Sequence, residues 1–381
     1  MRPTVLLLTP TLATIGGVET YYRALDLERH DKRVQYFFVT SATEESFRSR
    51  TYRLCVNYLR FWRMLGRRDC RLVVLNPSLN PSSFYRDAIF CRLALLRRKR
   101  VLVFFRGWSN SMESTIQNST VARLVFRFSF GSARHFIVLA DTFRDKLMAL
   151  GCSPDSRFWI ESTVADEALA AGFAIESRFR DTGPLRVLFI SRLVASKAPR
   201  LAIEAFALAQ QANPELRFEL TIAGDGPEAS SVAALVRDLN IPNVTLVGPV
   251  SGAAKVDLLT RSDVLLFPTC HGEGMPNVVL EAMLFGMPVI TRDVGGIRAA
   301  ISHGVNGFLT SETNPATFAD WLVELATNHA LRHKMARENY EKARELYTSS
   351  AVRTRFREII DSILEAATTD GSETTCGTAS N

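Results

Sequence analysis

The stretch Pro268-Thr-Cys-His-Gly-Glu-Gly-Met-Pro-Asn-Val-Val-Leu-Glu281 decides the fold of this chain. It places two carboxylates, Glu273 and Glu281, eight positions apart, across a Gly-Met-Pro turn that opens a helix. Pro276 suits the first helical position, where a missing N–H costs nothing. The apolar run Val264–Phe267 before the stretch predicts a strand. Polar groups therefore follow the carboxyl end of a strand, which is where open α/β sheets bind ligands.

The sequence also predicts where this helix ends. Gly286 and Pro288 follow Phe285 and favour termination there, and Gly295-Gly296 predicts the start of another helix after the next strand. Free amides at the helix N-terminus, between the two glutamates, are a site for phosphate or sugar oxygens. The ordinary alternative is a helix with one capping and one surface glutamate, and the flanking glycines, proline and strand disfavour it.

Composition describes a globular chain of two domains. Its 381 residues exceed one domain of ordinary size, and 47% of them are apolar. Six scattered cysteines without a CxxC pair fit a reducing cytoplasm and argue against a disulfide framework or a zinc site. No apolar run is long enough to predict a transmembrane helix. Val5–Leu8 is interpreted as a first buried strand rather than as part of a signal peptide.

The net charge of +7 is divided unevenly along the chain. Residues 1–165 hold 26 Lys and Arg against 13 Asp and Glu, a balance of +13. Residues 166–381 hold 20 against 26, a balance of −6. The first half is therefore expected to bind, or lie near, something anionic. No RNA- or DNA-binding signature accompanies its basic residues, so we expect no nucleic-acid partner.

Short apolar runs that alternate with helical stretches predict two parallel sheets built from βαβ units. The runs are Val5–Leu8, Val34–Val39, Leu72–Leu75, Val101–Phe105, Phe136–Leu139 and Phe158–Ile160 in the first half, and Val187–Ile190, Leu220–Ala223, Val244–Val247, Val264–Phe267, Val289–Thr291 and Gly307–Leu309 in the second. The predicted fold class is α/β, with two doubly wound, Rossmann-like parallel-sheet domains that face a central cleft.

Polarity and the strand pattern predict the domain boundaries. Residues 1–165 form a first domain, to which a C-terminal helix, 351–366, crosses back. Residues 184–345 form a second domain, and a polar linker, 166–183, joins the two. The tail 367–381 is polar and low in complexity, and it is predicted to be disordered.

A second informative stretch, Val187-Leu-Phe-Ile-Ser-Arg-Leu-Val-Ala-Ser-Lys197, places two cations after a strand. The Arg192 guanidinium, which can donate two parallel hydrogen bonds, and the compact charge of the Lys197 ammonium are suited to neutralise a diphosphate. An equal alternative is that both residues are solvated surface cations. Gly224-Asp-Gly-Pro227 follows the next strand with glycines that allow a ligand to approach the backbone. In Thr14-Ile-Gly-Gly-Val-Glu19 a tight turn is the favoured interpretation. A GxGxxG dinucleotide fingerprint is absent.

Together these stretches resemble the retaining glycosyltransferases of group one, called family four, which have the GT-B fold. The resemblance rests on Gly16-Gly17-Val18-Glu19, Ser191-Arg192-Leu193 with Lys197, Gly224-Asp225-Gly226-Pro227, Glu273-Gly274-Met275-Pro276 with Glu281, and Gly295-Gly296. It covers most of residues 185–330 and is weak over residues 1–165. It implies transfer of a hexose or related sugar from a nucleoside-diphosphate donor, with retention.

The resemblance also makes residues 1–165 the acceptor-side domain and residues 184–345 the domain that binds the donor, and it implies roles for individual residues. Glu273 becomes the catalytic, sugar-side acid, and Glu281 binds the ribose of the nucleotide. Arg192 and Lys197 bind the diphosphate. The remaining implied contacts are the amides of Gly274, Met275 and Pro276 beside the phosphates, the Gly16-Gly17 loop that closes over them, and the backbone of Gly248, Pro249 and Val250 under the nucleobase.

One position departs from the family pattern. The family commonly has a histidine that contacts the sugar at the end of a strand in the acceptor domain. Here Val101-Leu-Val-Phe-Phe105 leads into Arg106 instead. Arg106 is expected to hydrogen-bond the substrate, at the sugar or the phosphate, but a guanidinium is no general base near neutral pH. An inactive or altered enzyme therefore stays open as an alternative.

The implied chemistry needs no metal ion. Retaining transfer develops positive charge at the anomeric carbon and negative charge on the leaving diphosphate, and fixed cations and helix amides stabilise the second charge. The sequence holds no DxD-type metal pair, so we expect neither a divalent ion nor another cofactor. The sequence does not decide whether Glu273 is a nucleophile or only stabilises charge.

One amphipathic segment, residues 51–68, is a candidate for membrane contact. Drawn as a helix, it places Arg53, Arg60, Arg63 and Arg67 in one arc. The opposite arc holds Leu54, Tyr58, Phe61, Trp62 and Leu65. A basic face against an apolar face is typical of an interfacial helix. The alternative is that the apolar arc packs on the domain's own sheet and leaves the arginines solvated.

The sequence thus predicts a cytoplasmic glycosyltransferase, peripheral on the inner face of an anionic membrane. Its predicted partners are a nucleotide-sugar donor and a glycan acceptor, expected to be lipid-linked, in surface polysaccharide or glycolipid synthesis. Two alternatives are a nucleotide-sugar epimerase of the same architecture and a non-catalytic, membrane-associated protein that binds a nucleotide sugar. Transfer of labelled sugar to an acceptor distinguishes a glycosyltransferase from the epimerase and from the non-catalytic protein.

Overall fold

The computed structural model describes residues 4–13, 16–40, 47–179, 182–270 and 274–369. The chain forms two compact units. Unit 1 comprises Met1–Ser162 together with Val352–Asn381, and unit 2 comprises Thr163–Ala351. Each unit is a parallel sheet with helices packed against it, as the alternating strand and helix pattern predicts.

Unit 1 contains a six-stranded parallel sheet. Its strands are β1 (Thr4–Thr9), β2 (Val34–Phe38), β3 (Cys70–Leu75), β4 (Arg100–Phe104), β5 (His135–Val138) and β6 (Arg157–Ile160). The helices are α1 (Gly17–Leu25), α2 (Leu27–His30), α3 (Phe47–Leu65), α4 (Pro81–Leu96), α5 (Asn110–Asn118), α6 (Thr120–Phe128) and α7 (Asp141–Leu150). The strand order is β2-β1-β3-β4-β5-β6. The chain moves outward from β1 to β2 and then returns to the other side of β1 as β3, so the strand order reverses between β1 and β3.

Unit 2 contains a second six-stranded parallel sheet. Its strands are β7 (Leu185–Ile190), β8 (Phe218–Ala223), β9 (Val244–Gly248), β10 (Val264–Phe267), β11 (Val289–Arg292) and β12 (Gly307–Thr310). The helices are α8 (Pro199–Ala212), α9 (Ala229–Asp238), α10 (Gly252–Arg261), α11 (Asn277–Leu284), α12 (Ile297–Ala300), α13 (Pro315–Thr327) and α14 (His329–Leu346), and α15 (Ser349–Thr369) continues from this unit into unit 1. The strand order is β12-β11-β10-β7-β8-β9.

All twelve predicted strands are present, with bounds within two residues of those predicted. The inner strands are buried along almost their whole length; β10, for example, is buried at every position. A strand covered on both faces by helices must be apolar at consecutive positions. This burial is the physical reason that continuous apolar runs identified the strands, and it confirms the doubly wound fold class.

The last helix, α15, begins in unit 2 and packs on unit 1 from Val352 onward. The ring of Phe356 meets that of Tyr22 edge-on, with centroids 6.3 Å apart. Arg355 donates two hydrogen bonds to the buried carboxylate of Glu161, through Nε at 3.0 Å and Nη2 at 3.0 Å. These apolar and ionic contacts attach the C-terminal helix to the first sheet.

The apolar arc predicted on α3 packs inside unit 1. Phe61 and Leu65 are buried, and the Phe61 ring lies 5.5 Å from that of Phe37 and 5.1 Å from that of Phe90. Tyr58 packs on the same Phe90 ring at 4.7 Å. For this face the structure therefore has the alternative arrangement, in which the helix covers its own sheet. None of the helices in the described ranges is long and apolar enough to cross a membrane.

Candidate functional site

The strand order of unit 2 reverses between β7 and β10. From β7 the chain moves outward through β8 to β9, and it then returns to the other side of β7 as β10. Such a reversal opens a crevice at the carboxyl ends of the two central strands, where ligands bind in open α/β sheets. The loop with Arg192 and Lys197 follows β7, and the stretch Pro268–Glu281 follows β10. The topology thus brings the two predicted groups to one place.

Hydrogen bonds join these two loops directly. Lys197 ends a short 3-10 turn, Ala195–Lys197. The carbonyl of Ser196 in that turn accepts from the Cys270 amide at 2.8 Å and from the Thr269 hydroxyl at 3.2 Å. The cationic turn is therefore attached to the chain just before Glu273. Glu273 itself, with residues 271–273, lies outside the described residues.

The two cations of the first loop repel each other. Burial, and then the charge of Arg192, lowers the pKa of Lys197 to about 8. The Lys197 ammonium also lies 5.6 Å from the centroid of the Phe267 ring, at the end of β10. An anion bound beside both side chains relieves this repulsion, because the positive form of Lys197 then gains a partner. The pair is suited to a ligand with more than one negative charge.

Two glycines after β8 hold the Arg192 loop in place. Gly224 has φ +147°, and a Cβ there would lie 1.8 Å from the Ser191 carbonyl oxygen. A Cβ on Gly226 would lie 2.4 Å from the Leu193 carbonyl oxygen, and the Leu193 amide donates to Asp225 at 2.9 Å. These glycines allow backbone to pack against backbone, whereas the sequence analysis interpreted them as room for a ligand.

The end of β9 belongs to the same set of loops. The Gly248 carbonyl accepts a hydrogen bond from the Gly224 amide at 2.7 Å, and Gly248 has φ +69°. Val250 packs its partly buried side chain against the core of unit 2. The loops after β7, β8 and β9 are therefore one hydrogen-bonded layer, and the nucleobase contact predicted at Gly248 and Val250 stays a prediction.

The helix that carries Glu281 starts one residue later than predicted. α11 begins at Asn277, and Pro276 is its N-cap with φ −68° and ψ 126°. Pro276 has no N–H, so the predicted amide contact at this residue is wrong; the backbone donors at this end are Gly274, Met275 and Asn277. Met275 is buried, and its carbonyl accepts from the Thr163 hydroxyl at 3.0 Å.

Glu281 is a buried carboxylate with one partner of opposite charge. Its residue is 8% exposed, and the Lys255 ammonium lies 2.7 Å from both carboxylate oxygens. Lys255 donates a hydrogen bond to Oε1 and forms an ion pair with Oε2. Because each carboxylate oxygen has two lone pairs, Glu281 keeps acceptor capacity for a ligand hydroxyl. Lys255 was not predictable as a site residue from the sequence, because a lone lysine on an amphipathic helix carries no motif.

In unit 1, Gly16 and Gly17 follow β1 at the point where the strand order reverses. Gly16 is the N-cap of α1 in an extended conformation, and its carbonyl accepts from the Thr20 amide at 2.9 Å. A Cβ on Gly16 would lie 2.3 Å from a Glu19 carboxylate oxygen, whereas one on Gly17 would meet nothing. An acidic residue in the first turn stabilises a helix N-terminus. The geometry is that of a tight turn, and the predicted phosphate contact stays a prediction.

Arg106 follows β4 and is buried at its charged end. Its guanidinium lies 3.9 Å from the centroid of the Tyr21 ring and 4.3 Å from that of Phe104. Burial lowers the pKa of Arg106, and the neighbouring Tyr21 hydroxyl, followed by Tyr22 and Glu19, opposes that shift. Its Nη1 has no hydrogen-bond partner among the described residues. A buried N–H without a partner is destabilising unless a ligand supplies an acceptor, which is in line with the substrate contact predicted for Arg106.

The described ranges hold no group of three or more His, Cys, Asp or Glu side chains able to bind a metal ion. The expectation of a reaction without metal or other cofactor therefore stays a prediction, since Glu273 and its two preceding neighbours are not among those residues.

Fold and site define the class: a protein of two doubly wound α/β units, with paired cations and a buried carboxylate beside the strand reversal of unit 2. Residues 172–342 match the family of glycosyl transferases group 1. Over these residues, which make up less than half of the chain, it is similar to the group 1 glycosyl transferases.

Curated relatives match the chain over part of their length. The D-inositol 3-phosphate glycosyltransferase of Pseudarthrobacter chlorophenolicus is 32% identical over 160 residues, which cover 41% of this chain and 38% of that relative. The amylovoran biosynthesis glycosyltransferase AmsK of Erwinia amylovora is 28% identical over 207 residues, which cover 53% of this chain and 49% of that relative. The chain thus spans half or less of each of these two relatives.

Solved structures match nearly the whole chain. The Anabaena protein HepE, in complex with UDP and glucose, has a TM-score of 0.70 at 17% identity. The match covers 95% of this chain and all of HepE (100%). At this identity the likeness shows the fold alone, which is the GT-B fold that the sequence motifs implied.

Proposed function

We propose that the protein is a retaining glycosyltransferase that transfers a sugar from a nucleoside-diphosphate donor without a metal ion. The observation that carries this proposal is the junction of two loops at the strand reversal of unit 2. The turn with Lys197 is hydrogen-bonded, through the Ser196 carbonyl, to the chain that leads into Glu273. Cations for a leaving diphosphate and a carboxylate for the sugar therefore lie on connected loops.

The proposed roles follow from charge and burial. Arg192 and Lys197 bind the diphosphate and stabilise the negative charge that grows on it as the glycosidic bond breaks. Glu281 accepts a hydrogen bond from a ribose hydroxyl with a lone pair that its contacts with Lys255 leave free. Lys255 balances the negative charge of the buried Glu281 through their ion pair. Glu273 stabilises positive charge at the anomeric carbon, and Arg106 binds the substrate with its unpartnered Nη1.

We further propose that the acceptor is a lipid-linked glycan and that the protein works at the cytoplasmic face of an anionic membrane. The balance of +13 in residues 1–165 supports this proposal. The Erwinia relative, named for amylovoran biosynthesis, supports a role in the synthesis of a surface polysaccharide or glycolipid.

A transfer assay tests the proposed function. Radiolabelled nucleotide sugars, starting with UDP-glucose because HepE was solved with UDP, are incubated with the full chain, with and without a membrane lipid extract. We expect label in the lipid fraction only when extract is present, an anomeric configuration unchanged from the donor, and equal rates with and without EDTA. Interconversion of the donor sugar without transfer indicates an epimerase instead, and donor binding without any turnover indicates a non-catalytic protein.

The pair of cations predicts a pH-dependent affinity for UDP. Lys197 is charged below its pKa of about 8, and a bound diphosphate favours the charged form. The Kd for UDP should therefore rise as the pH passes upward through 8, by up to about tenfold per pH unit. In Lys197→Met this rise should disappear, and Arg192→Ala should raise the Kd about tenfold at pH 7. Isothermal titration calorimetry between pH 7 and 9.5 measures both.

The exposed Arg237 of α9 provides the matched control. Arg237→Ala should leave both the Kd and its pH dependence unchanged. An unchanged Kd for UDP in both Arg192→Ala and Lys197→Met would show that the two cations are surface charges.

A further inference from the structure

Three helices of unit 1 form one layer on the same face of its sheet. The connections from β2 to β3, from β3 to β4 and from β4 to β5 all step in the same direction across the sheet. Right-handed crossovers therefore place α3, α4 and α6 together on one side, and α4 contacts both α3 and α6. Their outer sides face away from the sheet, and we call these together the three-helix surface.

The three-helix surface exposes an unusual share of large apolar side chains. Of the 17 exposed large apolar residues in the described ranges, nine lie on these three helices. They are Tyr52, Val56 and Leu59 on α3, Tyr85, Ile89 and Leu96 on α4, and Val121, Leu124 and Phe128 on α6. Tyr52 is 74% exposed, Val121 68%, and Leu59 and Phe128 60% each. Apolar residues concentrated on one face indicate an interaction surface rather than the scattered exposure normal for a protein.

The charge of the same helices is almost entirely positive. Together α3, α4 and α6 contain nine arginines and a single acidic residue, Asp87. Asp87 is buried, and Arg86 donates to it through Nε at 2.7 Å and through Nη2 at 2.8 Å. No exposed carboxylate therefore lies on these helices to neutralise the remaining arginines. Arg63, Arg92 and Arg127 are all exposed, one on each helix.

We propose that the three-helix surface docks unit 1 onto an anionic lipid bilayer, with the arginines at the headgroups and the apolar side chains inserted between them. Exposed apolar groups interspersed with cations match the interfacial region of a bilayer, where both kinds of group gain free energy. A nucleic acid is a poorer match, since it offers the aliphatic Val121 and Leu124 nothing to pack on. The docking face therefore differs from the apolar arc predicted from sequence, in which Phe61 and Leu65 are buried in the core of unit 1.

This inference extends the proposed function by naming the surface that reaches a membrane acceptor, and it is testable without turnover. Flotation of the full chain with phosphatidylcholine vesicles, with and without phosphatidylglycerol, measures binding. Binding should need phosphatidylglycerol and weaken with salt. Changing Arg63, Arg92 and Arg127 to glutamate should weaken it by about a hundredfold, at about 1 kcal/mol for each basic residue near the surface.

Matched controls separate the surface from total charge and hydrophobicity. Changing the exposed Arg237, Arg261 and Arg337 of unit 2 to glutamate alters net charge equally and should leave binding within about twofold, because the effect acts only near the bilayer. The apolar variant Leu59→Ser, Leu124→Ser, Phe128→Ser should bind about tenfold more weakly with an unchanged salt dependence. Leu208→Ser, Leu239→Ser, Val305→Ser, also on exposed residues, should bind normally.

A local probe tests the orientation. Cys55 is exposed on α3, between Tyr52 and Leu59. In a chain with Cys270→Ser and Cys376→Ser, a polarity-sensitive thiol label on Cys55 should shift to the blue on anionic vesicles. The same label on Cys270, in a chain with Cys55→Ser and Cys376→Ser, should not shift.

Equal binding to neutral and anionic vesicles, equal losses in the unit 2 controls, or an unshifted Cys55 label would overturn the docking proposal. Two other results would also overturn it, if the chain does not bind vesicles. One is binding to a random DNA duplex that the same variants abolish, and the other is self-association in sedimentation experiments that they abolish. Donor binding and transfer to soluble acceptors are measured separately, so failure of docking and failure of the proposed glycosyl transfer are distinguishable.

Discussion

Replacement of Glu273 by glutamine is expected to lower turnover by about a hundredfold or more while the Kd for UDP changes little. The amide keeps the size and hydrogen-bonding reach of the side chain but removes the charge that stabilises the anomeric carbon in the transition state. Steady-state kinetics with the donor identified in the transfer assay measures kcat, and calorimetry with UDP measures Kd. The exposed Glu215→Gln of the same unit is the control and should retain normal kcat.

The second glutamate should give the opposite pattern. Glu281→Gln removes the charge that pairs with Lys255 and weakens the acceptor for a ribose hydroxyl, so Kd and KM should rise about tenfold with a smaller change in kcat. Lys255→Met should raise Kd in the same direction, since the buried carboxylate loses its counter-ion. Turnover at the normal rate by Glu273→Gln, or equal loss of kcat in both glutamate variants, would contradict the assigned roles.

Replacement of Arg178 by methionine is expected to lower the free energy of unfolding of unit 2 by about 3–5 kcal/mol. Arg178 is 5% exposed. It donates to the carbonyl of Phe285 at 2.7 Å and to the carbonyls of Ser262 and Leu259. These carbonyls lie at the C-terminal ends of α10 and α11, where the helix dipoles favour a cation. Without the guanidinium, three buried acceptors lose their donor at once.

Hydrogen exchange followed by mass spectrometry resolves this loss by unit. Peptides from β7 and β10 should exchange faster in Arg178→Met, and peptides from β1 and β3 should be unchanged. Arg337→Met is the matched control, because Arg337 is exposed and stacks on Phe179 at 5.2 Å; its effect should stay within about 0.5 kcal/mol. A loss below about 1 kcal/mol in Arg178→Met, or equal loss in both units, would show that the buried hydrogen bonds contribute little net stability.

Arg178 illustrates what the sequence could not predict. Its surroundings, from Arg178 to Gly183, are polar and precede a proline, which is typical of a linker. In the structure Leu169, Ala170 and Phe173, just before it, pack against the core of unit 2. A Cβ on Gly286 would meet the Ile175 side chain at 2.3 Å. The partners of this segment lie about 80 to 110 residues further along the chain, and no local pattern encodes contacts at that separation.

The strands and the positions of the loops at their carboxyl ends were predictable from the sequence, because each depends on local burial. A strand covered on both faces has to be apolar at consecutive positions, as Val264–Phe267 is. Glycine and proline mark several of the turns that follow, because glycine tolerates positive φ and proline fixes φ near −65°. The same local logic located Arg192 and Lys197 after a strand and Glu281 inside the helix that follows β10.

Tertiary structure decided which side chains meet. The partner of Glu281 is Lys255, 26 residues earlier on a neighbouring helix, and the glycines at 224 and 226 pack on the backbone of another loop. An amphipathic helix such as α3 presents an apolar arc in sequence, but the sheet determines whether that arc is buried or faces a membrane. Side-chain periodicity shows that a helix has two faces, whereas the packing of the whole unit determines what each face contacts.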